Sequence, residues 1–454
     1  MNKLADITAR LDYRQLPETA AVLFAGLLLG LFPLALISDY GAITRGKFFI
    51  LAFMCCDFGL ALLLSLLWTG RLRPPRQWTD GWTLPSRWLL LFGLAALISA
   101  LLSPYGSLTL LGSGRWEGML TLGLELFIVL SLAELGRWLD IYYDITALAA
   151  LLLAGLCLWQ LAGGNPLGLY PPGLTYADGG HLYQSRFLGT IGNVDMLSAC
   201  WCLLLPLLLG GTLLLPGRRR VLPALALLAG AGVELAADVS SGPLALLLSA
   251  LLIGPLLLRG RRRRLVWIAA ALALAAGLAL VYVYHGPEQG SLWELSRVLH
   301  GDIRDEFGSS RVLIWKEAWA SRGQGIGLLL GSGPGTRTQH FTTVFERLDE
   351  SGALLRAAVD SSHNEYLDLL LETGAAGLGL YLAAIAATLP ALWRAAGRND
   401  RQAVMLGWSW CAYLLQALFN FSSVVVTPLF WTVWGLLLAR LRGPAPPLLS
   451  PEEQ

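Results

Sequence analysis

Residues 194–214 read VDMLSACWCLLLPLLLGGTLL, and residues 215–220 continue LPGRRR. Asp195 apart, the first stretch carries no charge over 21 positions, and a helix of that length rises roughly 31 Å at ~1.5 Å per residue. That matches the ~30 Å hydrocarbon core of a bilayer. Arg218, Arg219 and Arg220 then end the run and mark its cytoplasmic side, where Lys and Arg accumulate in membrane proteins.

Stretches of this kind recur along the 454 residues. Twelve spans are read at about 18–38, 48–69, 87–103, 118–134, 145–162, 194–214, 221–237, 243–258, 265–284, 366–393, 402–420 and 424–440. Composition agrees, since 55% of residues are hydrophobic and 14% charged, against roughly 45–50% and 25% in soluble domains. A soluble enzyme is excluded. The expected fold is all-α: one polytopic membrane bundle of about twelve transmembrane helices spanning residues 1–454 as a single domain. The first apolar run is of full membrane length without a small-residue cleavage site, so it is expected to stay as a helix. The six cysteines all fall inside apolar runs and read as packing residues.

With the N-terminus cytoplasmic, the inside segments hold Arg71, Arg73, Arg76, Arg87, Arg218 to Arg220, Arg259, Arg261 to Arg264, Arg394, Arg398 and Arg401. The short outside loops hold Arg45, Lys47, Arg115 and Arg186. This asymmetry places both termini in the cytoplasm. A net charge of +2 gives no reason to expect nucleic acid. Three loops then face out: Pro104 to Gly118, Gly163 to Asn193, and a long one over 285–363 between the ninth and tenth spans. The long loop carries Trp293, Leu295, Val298 and Leu299, then Val312, Trp315, Ala318 and Trp319, at helical spacing, which predicts short helices in it. All five histidines fall on the outside face, so imidazole chemistry would be extracytoplasmic and would draw on an already activated substrate.

Four segments stand out in order on that face: RFLGTIGN at 186–193, SSRVLIW at 309–315, GSGPG at 331–335, and HNEYL at 363–367 followed by ETGAAG at 372–377. In this order and spacing the chain resembles the O-antigen ligase and polymerase superfamily of bacterial glycosyltransferases. The resemblance implies a GT-C type membrane fold in the bacterial inner membrane. It also implies metal-independent, cofactor-free transfer of a glycan from an undecaprenyl pyrophosphate-linked donor to an acceptor hydroxyl on a glycan or lipid.

The residues fit such chemistry. Pyrophosphate is a multiply charged leaving group, and Arg grips its oxygens bidentately while staying charged at any working pH. Arg311 and Arg186 are the candidates, with Arg115 in GSGRWEG as a third. An imidazole can take the proton of the attacking hydroxyl, and the HNEYL match gives His363 that role. Asn193, Asn364, Glu365 and Tyr366 belong to the same motifs and are candidate substrate contacts. Glu365, Asp368 and Glu372 share one helical face and read equally as sugar or His363 contacts or as interfacial solvation. The glycine cluster lacks the GK[ST] and βαβ context of a nucleotide loop; it reads as a turn whose amides approach the lipid pyrophosphate.

One departure is visible. Many members of the superfamily carry an S-R-G segment at the start of the eighth span, and here Ser240, Ser241, Gly242 and Pro243 lack the Arg. Arg186 or Arg115 would then supply the missing charge. Asp57 and Glu125, ionisable groups within apolar runs, keep open a lipid or polysaccharide transporter. A polymerase would carry the same motifs as a ligase.

Overall fold

A computed structural model describes residues 15–71, 82–169, 177–178, 181–182, 189–288, 290–348 and 354–443. All twelve apolar stretches are helical: α1 (Leu16–Gly30), α2 (Ile43–Trp68), α3 (Leu84–Leu102), α5 (Met119–Leu135), α6 (Ile141–Leu161), α7 (Val194–Leu214), α8 (Val221–Ala236), α9 (Ser241–Ile253), α10 (Gly260–Tyr282), α14 (Glu365–Gly397), α15 (Arg401–Gln416) and α16 (Thr427–Arg442). Six described helices are long and apolar enough to cross a membrane: Tyr40–Trp68 (which takes in α2), α3, α6, α7, α10 and α14. The others run 13 to 17 residues.

One core cluster runs from Ala21 on α1 to Leu438 on α16. At its centre α7 and α16 are buried along almost their whole length, with Trp201, Trp410 and Trp434 fully enclosed. The main packing pairs are α3 with α14, α5 with α16, and α7 with α15. In contrast, α10 buries no residue. It meets the bundle through the stacked rings of Trp267 and Trp393, 5.4 Å apart, and through Arg263, which donates to the carbonyl of Ala396 at 3.3 Å.

The first helix ends at Gly30 rather than near residue 38, because the chain turns ahead of Pro33, whose ring supplies no amide to continue the ladder. Lys47, expected in an aqueous loop, is instead buried. Its Nζ donates to the carbonyls of Phe32 and Pro33 at 2.7 and 3.1 Å, satisfying groups that the turn leaves open.

Between α10 and α14 lie α11 (Ser291–Leu299), α12 (Phe307–Ser321), α13 (Ile326–Leu330) and a hairpin of β3 (Val344–Leu348) and β4 (Leu354–Ala358). Two further short elements, α4 (Leu108–Leu111) and the strand pair β1 (Ala177–Asp178) and β2 (His181–Leu182), lie in the loops on the same side. Ile314 and Ala318 of α12 pack with Phe341 and with Leu371 of α14, so α12 is held against the start of that helix.

Two glycines explain how the loop seats. In α14 the helix is broken at Gly374, with φ 67° and ψ −176°, a backbone region open only to glycine. A Cβ there would lie 2.2 Å from the Leu329 carbonyl oxygen, and one on Gly331 would lie 2.4 Å from that of Glu372. The turn at 331–335 is thus pressed backbone to backbone into the break.

Candidate active site

The amides of the glycine turn are used within the protein, contrary to the phosphate-facing role expected of them. Ser332 N donates to the Leu371 carbonyl at 3.0 Å and Gly333 N to that of Glu372 at 2.8 Å. The carbonyls freed by the break at Gly374 find their donors there. The turn delivers Arg337 instead, a residue that sequence reading passed over because nothing in GTRTQH distinguishes it from a loop arginine.

Arg337 is 2% exposed. Its Nη1 lies 3.5 Å from Asp368 Oδ2 and donates to Ser422 Oγ at 3.1 Å; Nη2 donates to the Ser422 carbonyl at 3.3 Å, and Nε is 3.9 Å from Glu372. Although burial opposes it, Glu372, Asp368 and Glu117 hold this guanidinium more firmly charged than a free arginine. Asp368 and Glu372 accordingly face inward as the clasp of Arg337, not toward water. Below them a cavity of about 50 Å³ is lined by Glu117, Glu125, Glu365 and Glu372 among others, and Glu125 keeps one carboxylate oxygen without a partner.

His363 stands at the entry of α14. Asp368 Oδ1 accepts from Ser362 N at 2.9 Å, the Ser362 carbonyl accepts from Trp315 Nε1 at 2.9 Å, and Asn364 caps the helix by accepting from Leu367 N at 3.1 Å. These contacts fix a backbone that places His363 at φ 50°. The ring is half-buried, and its Nδ1 is fully screened, with no hydrogen-bond partner among the described residues. Burial first, and the charge of Arg311 second, lower its proton affinity to a pKa of about 4.

Arg311 leads the helical part of α12, directly after Gly308, Ser309 and Ser310, all in the left-handed region. Its Nε is buried without a partner, its Nη1 reaches only the Gly308 carbonyl at 3.4 Å, and among the described residues no carboxylate pairs with it. Arg115 is paired, donating through Nε and Nη2 to Asp360 Oδ2, and lies 4.4 Å from the centroid of the Phe421 ring. Of six non-glycine described residues at positive φ, four are Trp116, Ser309, Ser310 and His363. Each is, or lies within two residues of, Arg115, Arg311 or His363. Backbone strain of this kind persists where surrounding structure over-determines it, and it gathers at functional sites.

The structure therefore brings Arg115, Arg311 and His363 together. Glu365, Tyr366, Asn364 and Asn193 have their side chains engaged in the protein. Glu365 accepts from Tyr413 Oη at 3.0 Å, Tyr366 Oη donates to the Leu414 carbonyl at 2.8 Å, and Asn193 caps α7 by accepting from the amides of Asp195 and Met196. Arg186 lies outside the described residues. At the departure near Ser240, Gly242 packs against a buried pair in which Ser198 Oγ donates to Glu234 Oε1 at 2.6 Å.

Residues 223–382 match the family model for O-antigen ligase. The match takes in Arg311, Arg337 and His363, while Arg115 and Phe421 lie beyond it. Among curated proteins none matches the chain. Six membrane-length apolar helices together with this domain indicate a multi-pass protein of the inner membrane. The O-antigen ligase domain at residues 223–382 supports placing this chain in the O-antigen ligase superfamily.

Proposed function

We propose that the protein is a glycosyltransferase of the O-antigen ligase type. It moves a glycan from an undecaprenyl pyrophosphate carrier to an acceptor hydroxyl at the extracytoplasmic surface. The acceptor oxygen attacks the anomeric carbon, its proton passes to His363, and the bond from that carbon to the pyrophosphate oxygen breaks. The electron pair leaves with the lipid pyrophosphate, whose charge Arg311 and Arg115 neutralise. The observation that carries this reading is the free, screened Nδ1 of His363 beside an Arg311 that no described carboxylate pairs.

The side of the membrane follows from charge. On α7 and α14 the site lies at the Asn193 and Asn364 ends, and Arg218 to Arg220 and Arg394 to Arg398 lie at the other. By the positive-inside rule, this arrangement supports a site on the outer face. A broken, charge-lined helix is a transporter feature, but the break in α14 is closed by the glycine turn and supports no passage there.

Purified protein given an undecaprenyl pyrophosphate-linked oligosaccharide and an acceptor glycan is expected to form the joined product, with full activity in EDTA. A ladder of products would assign a polymerase, and loss of activity in EDTA restored by Mg²⁺ would defeat the arginine-only account. Product formation by His363→Ala at the wild-type rate would sink the assignment of the base.

A further inference from the structure

We propose that Phe421 is the positioning residue of this site: its ring fixes Arg115 beside the His363 imidazole and keeps the space around that imidazole free of water. This rests on the reading of His363 as the base. Phe421 lies in the loop between α15 and α16, outside the matched domain, and is 4% exposed. Three site groups converge on its one ring. The Arg115 guanidinium is 4.4 Å and that of Arg337 5.6 Å from the ring centroid, and the His363 ring is 5.3 Å away at an interplanar angle of 80°.

The loop that carries the ring is pinned on several sides. Glu365 N donates to the Ala417 carbonyl at 2.9 Å, Asn420 Nδ2 to the Asp195 carbonyl at 3.0 Å, and Val424 N to Glu117. Ser422, the next residue, takes both Arg337 donors. The ring is thus held by α14, by the start of α7, by the loop before α5 and by the Arg337 turn at once. A loop phenylalanine with no such fastening would be free to leave.

The chemistry asks for such a plate. Arg115 is paired with Asp360, so an arriving pyrophosphate must draw the guanidinium off that carboxylate; a ring that attracts cations through its face keeps the group in place during the exchange. The aromatic ring also presents no hydrogen-bond acceptor to the imidazole, whose Nδ1 has no partner among the described residues. The charged groups acting on His363 come from every neighbouring element: Arg311 from α12, Asp360 from the segment after β4, Arg115 from the loop before α5, and Arg337 from the turn. The ring lies against two of the three cations. Removing it admits water and lets the imidazole bind protons more readily, toward its ordinary range.

The test measures kcat, KM for the lipid-linked donor, and the pH profile of the full chain in detergent with an undecaprenyl pyrophosphate-linked oligosaccharide. Phe421→Leu is expected to lower kcat about tenfold, raise KM several-fold, and move the acid limb of the profile up by about one pH unit or more. Phe421→Tyr is expected to keep most of the rate and an unmoved limb. If Phe421→Leu melts, Phe421→Met, similar in bulk and without the π face, carries the same expectation. An unmoved acid limb and unchanged KM in the Leu or Met variant would overturn the proposal, as would a Tyr variant as impaired as they are. Those outcomes leave the base assignment standing, whereas an active His363→Ala protein removes the base assignment whatever Phe421 does.

Discussion

His363 carries a left-handed backbone and, among the described residues, an Nδ1 without a hydrogen-bond partner and a neighbouring guanidinium, that of Arg311, with no carboxylate paired to it. A general base works as the neutral imidazole, and burial with Arg311 keeps this one neutral down to about pH 4. The rate is therefore expected to stay level as pH falls through 6.5, where an ordinary histidine would be half protonated, and to drop only on approach to 4. Initial rates across pH 4 to 8 check this. The same shift acts on stability. The unfolded chain binds the proton near 6.5 and the folded one near 4, so stability present above 6.5 is lost as pH falls between them. Melting of His363→Gln should be less acid-sensitive than wild type over that window. His363→Ala is expected to slow the chemical step by about 10² to 10⁴ with donor binding nearly intact. Arg311→Ala should weaken both binding and turnover, and Arg311→Lys should restore little, since an ammonium lacks the planar fork. Donor affinity measured beside turnover separates the two.

The broken α14 and the glycine turn act as one element. Gly374→Ala places a Cβ 2.2 Å from the Leu329 oxygen in a backbone region closed to it, and is expected to cost about 1–3 kcal/mol or more. Gly379→Ala, with nothing within 4 Å of the added Cβ, is expected to melt like wild type. Thermal melts in detergent compare the pair. The clasp around Arg337 has a different character. Arg337→Gln leaves Asp368 and Glu372 buried without their cation and is expected to cost about 3–5 kcal/mol. Adding Asp368→Asn and Glu372→Gln should recover part of that loss, because the charges left uncompensated are then gone. A triple variant no more stable than the single one would count against the clasp.

At the scale of the whole molecule, the clusters Arg218 to Arg220 and Arg261 to Arg264, with Arg394 and Arg398, lie at the helix ends opposite the candidate site. Single cysteines introduced over 285–362 are expected to label from outside in intact cells, and those near Arg218 or Arg261 only after permeabilisation. Reversed labelling would remove the extracytoplasmic site. Twelve helices were legible in the sequence because each is a long apolar run between charges or glycines, a signal that a bilayer imposes locally. The sequence also singled out His363 and Arg311 as candidates, through HNEYL and SSRVLIW. Arg337, Asp360 and Phe421 were not. They lie far apart in the chain, and nothing local marks a loop arginine as buried or a loop phenylalanine as a plate beneath two guanidiniums. Lys47 shows the same limit, since only the turn at Phe32 and Pro33 gives its ammonium two carbonyls to cap. The sequence by itself determined the membrane helices and their orientation signal, because transfer into lipid depends on each segment's own composition. Only the tertiary structure decided which charges are paired, which are left free and which are enclosed, because those depend on where the break at Gly374 lets the outer loop settle.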